Sequence, residues 1–397
     1  GRLIQASKRL IAIGYEAGND MTDTSNTVLI GYRAGYEINS TGANGTVAIG
    51  YEAGEDLTSG IANTVIGYQA GKNATTGQRN TVLGYQAGLN LTNDRDNTLI
   101  GYAAGEKVGT GPQYAGEYNT MVGSEAGQRI TGSANVIMGY QAGHGKHASA
   151  PFNRAASNVI LGHQAGYLIE NGGTNVLIGH SAGYAASGSV GQLTAIGNQA
   201  GYRSTAGYSV AVGRQAGKEE TGANAWTHIG NGNANNTSLG YYAANRNVTG
   251  TNNTMIGKDA GYYNTNSSNT VVGVSAFFGG SGRDFASANV AIGNSAFAEG
   301  VIGSVGRSVA VGTYAGRHAT GSYNTFMGYT ALGYQALTNF TTGQQNTIVG
   351  SHAGDAITSG NYNTFLGVSA GGSITTGAQN TFVGRNVGTG GDDSNFI

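Results

Sequence analysis

One unit, Asn-Thr-apolar-apolar-Gly-Tyr-x-Ala-Gly, returns along almost the whole of this 397-residue chain. NTVIGYQAGKNATTGQR (63–79) and NTVLGYQAGLNLTNDRD (80–96) are two successive copies. With the glycine after the apolar step taken as position 0, the unit recurs 22 times, from Gly14, Gly31, Gly50, Gly67 and Gly84 through to Gly350, Gly367 and Gly384. The dominant interval is 17 residues; the largest departures are 22 into Gly123 and Gly350, 23 into Gly162, and 10 between Gly230 and Gly240. Insertions fall between units and leave the apolar-Gly step intact, as loops do on a repetitive scaffold. Position −1 is apolar throughout and is assigned to the core: Ile13, Ile30, Ile49, Ile66, Leu83, Ile100, Val349, Leu366 and Val383.

The apolar run is two to four residues long and rich in Val and Ile, which predicts a short strand. A second, weaker strand is expected near +5 to +8, as in Leu57-Thr58, Ala74-Thr75 and Leu91-Thr92. Ala at +3 and Gly at +4 mark a corner where backbone passes close or φ is positive. Asn at −4 can bond its own backbone two residues on, or stack between units as an amide ladder. The fold class expected is therefore all-β: a parallel β-solenoid or β-roll of about 22 short coils, rising ~4.8 Å per coil. Residues 1–397 read as a single elongated repeat domain, with repeats over 10–388 and loop insertions at 106–118, 144–157 and 329–345.

Such a scaffold also accounts for a composition that a globular core would not tolerate. Glycine supplies 71 residues, each costing roughly 0.5–1 kcal/mol relative to Ala inside regular structure. With only 2 prolines, collagen is excluded. With 23 tyrosines and 39 % hydrophobic residues, so is a solvated coil. No 18-residue apolar window exists to insert in a membrane, no cysteine supports a disulfide framework, and a net charge of −1 offers no stripe for nucleic acid.

The chemistry of catalysis is not patterned. Asp and Glu total 21, dispersed without a recurring pair for glycoside hydrolysis, so no catalytic residue and no cofactor-binding residue is assigned. His144 and His147 share an insertion, and His163 and His180 occupy +1 in adjacent units, but no further ligand recurs with them; no metal is assigned. Position +1 is more suggestive. Tyr15, Tyr32, Tyr51, Tyr68, Tyr85, Tyr102 and Tyr140 stand there, either as a stiffening aromatic ladder or as an exposed stripe for sugars, surfaces or a neighbouring fibre. The long insertions are alternative binding elements.

If −1 faces inward, the adjacent −2 residue faces out. Val65, Val82, Leu99 and Met121 would then form an exposed apolar stripe, which implies a partner. That reading favours coils packed around a common axis over a wider monomeric solenoid covered by its loops.

Ser-Val-Ala-Val-Gly (209–213, 308–312) and Asn-Val-Ala-Ile-Gly-Asn-Ser-Ala (289–296) resemble the head repeats of trimeric autotransporter adhesins. The dominant form, followed by x-x-x-Thr-Thr-Gly, is more similar to phage tail-fibre repeat arrays. The resemblance covers Leu10 to about Gly388 and implies a homotrimeric, fibrous, extracellular attachment protein. It implies the shaft or receptor-binding region of a virion tail fibre, binding a host-surface glycan or protein. The alternative is a bacterial cell-surface adhesin or matrix filament, and a polysaccharide-degrading tailspike is a more distant reading. The period exceeds that of autotransporter heads. Without an initiating Met, chaperone domain, signal peptide or anchor in the sequence, a fragment of a longer chain is expected. An ice-binding array would need more regular intervals.

Overall fold

The computed structural model describes residues 8–388 except 22–23, 40–42, 110–115, 146–154, 170–171, 186–190, 205–208, 219–235, 247–249, 280–286, 299–306, 319–329 and 341–342. The chain is an all-β parallel solenoid, with no α-helix among the described residues. It divides into two compact units, residues 1–199 and 200–397.

In the first unit lie β1 (Lys8–Ile13), β2 (Ser25–Ile30), β3 (Val47–Ile49), β4 (Thr64–Ile66), β5 (Thr81–Leu83), β6 (Thr98–Ile100), β7 (Thr120–Val122), β8 (Val136–Met138), β9 (Val159–Leu161), β10 (Val176–Ile178) and β11 (Leu193–Ile196). In the second lie β12 (Ser209–Val212), β13 (Thr237–Leu239), β14 (Thr254–Ile256), β15 (Thr270–Val272), β16 (Val290–Ile292), β17 (Val309–Val311), β18 (Thr330–Leu332), β19 (Thr347–Val349), β20 (Thr364–Leu366) and β21 (Thr381–Val383). Within each unit every strand pairs in parallel with the next, like position on like position: Thr64↔Thr81, Val65↔Val82, Ile66↔Leu83. An interval of 22 or 23 residues does not disturb this register, as Thr98↔Thr120 and Val136↔Val159 show.

Val212 pairs directly with Leu239, and Gly230 lies outside the described residues. Val311 pairs with Leu332, so Gly333 is a position-0 glycine before Gly350, while Gly328 lies outside the described residues. Within the stretch 329–345, the described residues 330–332 form a strand stacked between those at 309–311 and 347–349. Much of the other two insertions, 110–115 and 146–154, lies outside the described residues.

Among the described residues no second strand forms over +5 to +8; outside the strands there are turns and isolated bridges such as Gln78↔Arg95 and Ala156↔Gly173. Residues at +2 and +4 have positive φ, as at Gln86 (51°) and Gly88 (52°), and the +7 amide bonds back to the +4 carbonyl of its own coil, as Leu91 N to Gly88 O at 3.1 Å. A chain bent this way cannot extend over +5 to +8. It still bonds to both neighbours. Gly84 N and Gln86 N donate backward to Ile66 O and Tyr68 O, and Gly88 N donates forward to Ala104 O, all at 2.8–2.9 Å. Alternation of direction lets most backbone groups find a partner without a second strand.

The interior of each coil is small and formed by three positions. Leu29, Val65, Val82, Leu99, Met121, Ile137 and Ile160 at −2 are buried, with Ala at +3 and the apolar +7 residue, such as Leu57, Leu91 and Ile130. This reverses the inward assignment of −1. Ile13, Leu83, Leu366 and Val383 are exposed, and Ile30, Ile49, Ile66, Ile100 and Val349 are half-buried. The reason is steric. The turn closes Gly88 onto the −2 side chain of the next coil, where a Cβ would lie 2.9 Å from Leu99 Cδ1. Only the central strand residue fits inside that bend, and its two neighbours must turn outward. Where −2 shrinks to Ala, volume is restored from elsewhere: Leu57 at +7 accompanies Ala48, and Phe297 at +4 accompanies Ala291. Those alanines are inside the coil, not at an outer contact.

Asn at −4 is buried and forms the ladder. Asn80 N and Nδ2 donate to Asn63 Oδ1 at 3.0 and 3.2 Å, and Asn80 Nδ2 also donates to Asp94 O at 2.8 Å. Amide-to-amide contacts of the same kind run through Asn97, Asn119, Asn135, Asn158 and Asn175. Own-coil bonds run back to the carbonyl three residues earlier, as Asn63 Nδ2 to Gly60 O at 3.0 Å, and not two residues on.

Candidate interaction face

Because −2 points in, positions −3, −1 and +1 share the outer face of the sheet. In the unit 1–199 these three columns carry no Asp, Glu, Lys or Arg at any of β1–β11. Thr64, Ile66 and Tyr68 make one row, Thr81, Leu83 and Tyr85 the next, and Thr98, Ile100 and Tyr102 the one after. In the unit 200–397 the same columns hold only three charged residues, the cations Arg214, Lys258 and Arg385, all at +1.

Several charges of the first unit lie at the corners and pair along the stacking direction. Arg79 grips Asp96 with two bonds, Nε–Oδ1 at 2.7 Å and Nη2–Oδ2 at 2.8 Å, and this partner holds the Asp96 carboxyl below its usual range. Lys72 reaches both Glu52 and Glu55, the latter at 3.0 Å, and Arg33 pairs with Glu55. Burial opposes ionisation of Glu52, but hydrogen bonds from Lys72 and Gln69 outweigh it and lower its pKa. The Glu52 hydrogen bond raises the Lys72 ammonium well above its usual range. At +2, Gln86 Nε2 donates to Gln69 Oε1 and Gln69 Nε2 to Glu52 Oε2, both at 2.9 Å. These charges pair at the corner, and none stands in the three outer columns of β1–β11.

Tyr15, Tyr32, Tyr51, Tyr68, Tyr85 and Tyr102 form one stack, with ring centroids 4.8–5.5 Å apart and interplanar angles of 6–12°. The stack and the exposure coexist, since each ring is 41–65 % exposed. Ring faces are covered by neighbouring rings, so edges and hydroxyls meet solvent. An open face for stacking on a sugar is therefore missing within the run. Ser124 interrupts it; Tyr140 then contacts His163, which stacks on His180 at 4.9 Å and 2°. These histidines continue the ladder. His144 stacks on Tyr167 and lies 3.6 Å from Glu125, while His147 lies outside the described residues. Among the described residues no three His, Asp or Glu side chains converge on a metal-binding arrangement, and no helix is long and apolar enough to cross a membrane.

The −3 and −1 columns are the part of this face that the sequence reading assigned to the interior or left aside. A signal was available: −3 is Thr in many units, and a face shared by Thr and −1 is more readily the wet one. No protein-family model and no curated protein sequence matches the chain.

Proposed function

We propose that this chain is a structural and attachment fibre protein, the shaft or receptor-binding region of a phage tail fibre, assembled as a homotrimer. The observation that carries this reading is the neutral, apolar-ridged outer face. Four residue steps across at about 3.3 Å and eleven strands at about 4.8 Å give on the order of 700 Å² for β1–β11, near the roughly 800 Å² per partner of a standard interface. Full burial of an Ile or Leu side chain contributes about 1.5–3 kcal/mol. Half-exposed −1 residues would thus add on the order of 10 kcal/mol along β1–β11, comparable with an association cost estimated at 4–15 kcal/mol. The −3 column adds to that total. Arg214, Lys258 and Arg385 place the +1 column at the rim, because three like charges meeting at an axis would repel.

The same chemistry suits an adhesin or matrix filament on a bacterial surface. Both readings make the protein extracellular, and both need the same self-association. The interface face differs from the sequence expectation: Val65, Val82, Leu99 and Met121 are interior, and Ile66, Leu83 and Ile100 replace them.

Light scattering on the purified chain should give three times the monomer mass of 40.2 kDa. The combined variant Ile66→Lys, Leu83→Lys, Ile100→Lys should run at a lower mass with unchanged β-type circular dichroism. A wild-type chain that stays a folded monomer at all accessible concentrations would refute the assembly.

A further inference from the structure

The six-tyrosine stack has chemistry beyond stiffening. Phenols held face to face are poised for radical coupling, because both partners of the bond are already in contact. We propose that the ladder Tyr15–Tyr102 is an oxidative modification site, at which neighbouring coils of one chain become joined by dityrosine bonds. The reading does not depend on the assembly proposed above.

The substrate class is a peroxide acting through a peroxidase. Each of two adjacent tyrosines gives up one electron and its phenolic proton. The two ring radicals join through the carbons next to the hydroxyl-bearing carbons. Each of those carbons then passes its hydrogen to its own oxygen, which restores both phenols. Hydrogen peroxide takes up the two electrons and two protons and becomes two waters. The chain loses two hydrogens per bond.

Three observations favour this site. First, Tyr68 and Tyr85 have centroids 4.8 Å apart at an interplanar angle of 6°, and the remaining four steps lie within 5.5 Å. Both follow a strand by two residues, in turns joined coil to coil by the bond from Gln86 N to Tyr68 O at 2.8 Å, so coupling calls for a local tilt of the rings. Second, the hydroxyl edges are exposed, which lets an oxidant reach them. Third, Glu16 and Glu52 adjoin Tyr15 and Tyr51 in the chain and hold their phenols above the usual range, giving the released phenolic proton a nearby carboxylate. The molecule also contains its own controls. Tyr118 and Tyr362, at 54 % and 57 %, are more exposed than every ladder tyrosine except Tyr15, yet belong to no tyrosine stack among the described residues.

The full chain, dilute, would be treated with hydrogen peroxide and peroxidase and digested with trypsin. Cleavage after Lys72, Arg79, Arg95 and Lys107 separates Tyr68, Tyr85 and Tyr102 into the peptides 34–72, 80–95 and 96–107. The expected products are 34–72 joined to 80–95 and 80–95 joined to 96–107, each two hydrogens lighter than its parts, from protein that still migrates as a single chain under denaturing conditions. Contact within the ladder should make these at least about tenfold more abundant than links through Tyr118 or Tyr362, since held neighbours react at high effective concentration. Tyr85→Phe keeps the ring and the stack but removes the phenol. It should abolish both products, with circular dichroism unchanged, while links between Tyr15 and Tyr32 persist. Links that join separate chains, or that involve Tyr118 and Tyr362 as often as the ladder, would overturn the proposal.

Discussion

Val82→Asp is expected to unfold the coil that contains it, whereas Leu83→Asp, one residue on, leaves the solenoid intact. Val82 is fully buried and Leu83 is 44 % exposed. The first change forfeits about 1.5–3 kcal/mol of apolar burial and adds several kcal/mol for a carboxyl with no buried partner, roughly 5 kcal/mol or more in all. Because each coil is stabilised by the coils on either side, the damage spreads to the strands before and after it. The second change alters a surface position of a single chain, where most substitutions stay within about 0.5 kcal/mol. Thermal unfolding followed by circular dichroism distinguishes the two directly. If Leu83→Asp proved the more damaging in a dilute monomer, the inward face would be the other one.

A loss of comparable size is expected from Gly84→Val. At φ 141°, Gly84 adopts a backbone conformation that L side chains rarely enter, and a Cβ there would fall inside the van der Waals shell of the Gly101 carbonyl oxygen. Neither backbone can retreat freely. Gly84 N is bonded to Ile66 O at 2.9 Å and Gly101 N to Leu83 O at 2.8 Å, so opening the gap breaks bonds on both sides. Strain of about 1–2 kcal/mol joins the loss of several hydrogen bonds at roughly 0.5–1.5 kcal/mol each, for a total near 4 kcal/mol or above. Gly45→Ala is the companion. Its φ of 75° is also positive, but the nearest atom to an added Cβ is 3.8 Å away, so the cost should stay near 1 kcal/mol. Denaturant midpoints that fall equally for both variants would show that backbone overlap at position 0 is not what selects glycine.

The sequence made the repeat, its register and the all-β class legible, because one glycine recurs with fixed neighbours. What it hid was direction. In a three-residue strand such as Thr81-Val82-Leu83 both apolar residues look equally suited to a core, and alternation says only that they face opposite ways. Direction is decided by the turn that follows, where Gln86 and other non-glycine residues at +2 take positive φ, as does Arg79 at −5. Nothing in the chemistry of Gln or Arg announces that conformation. It is held by coil-to-coil bonds such as Gln86 N to Tyr68 O, which appear only once coils are stacked. The aromatic column, by contrast, was readable, since seventeen-residue spacing of Tyr15 and Tyr32 on a parallel sheet leaves the rings little choice but to stack.

Strand pairing keeps its register across separations from 16 residues, at Thr120↔Val136, to 27, at Val210↔Thr237. For heredity this has a consequence. Every coil presents nearly the same upper and lower surface, so a replication slip that copies or deletes one whole repeat joins surfaces that already match. A smaller insertion in the corner between strands is absorbed without moving either neighbour. Length and corner sequence can therefore drift separately, and selection can lengthen the protein or redecorate its edge without having to find a new fold.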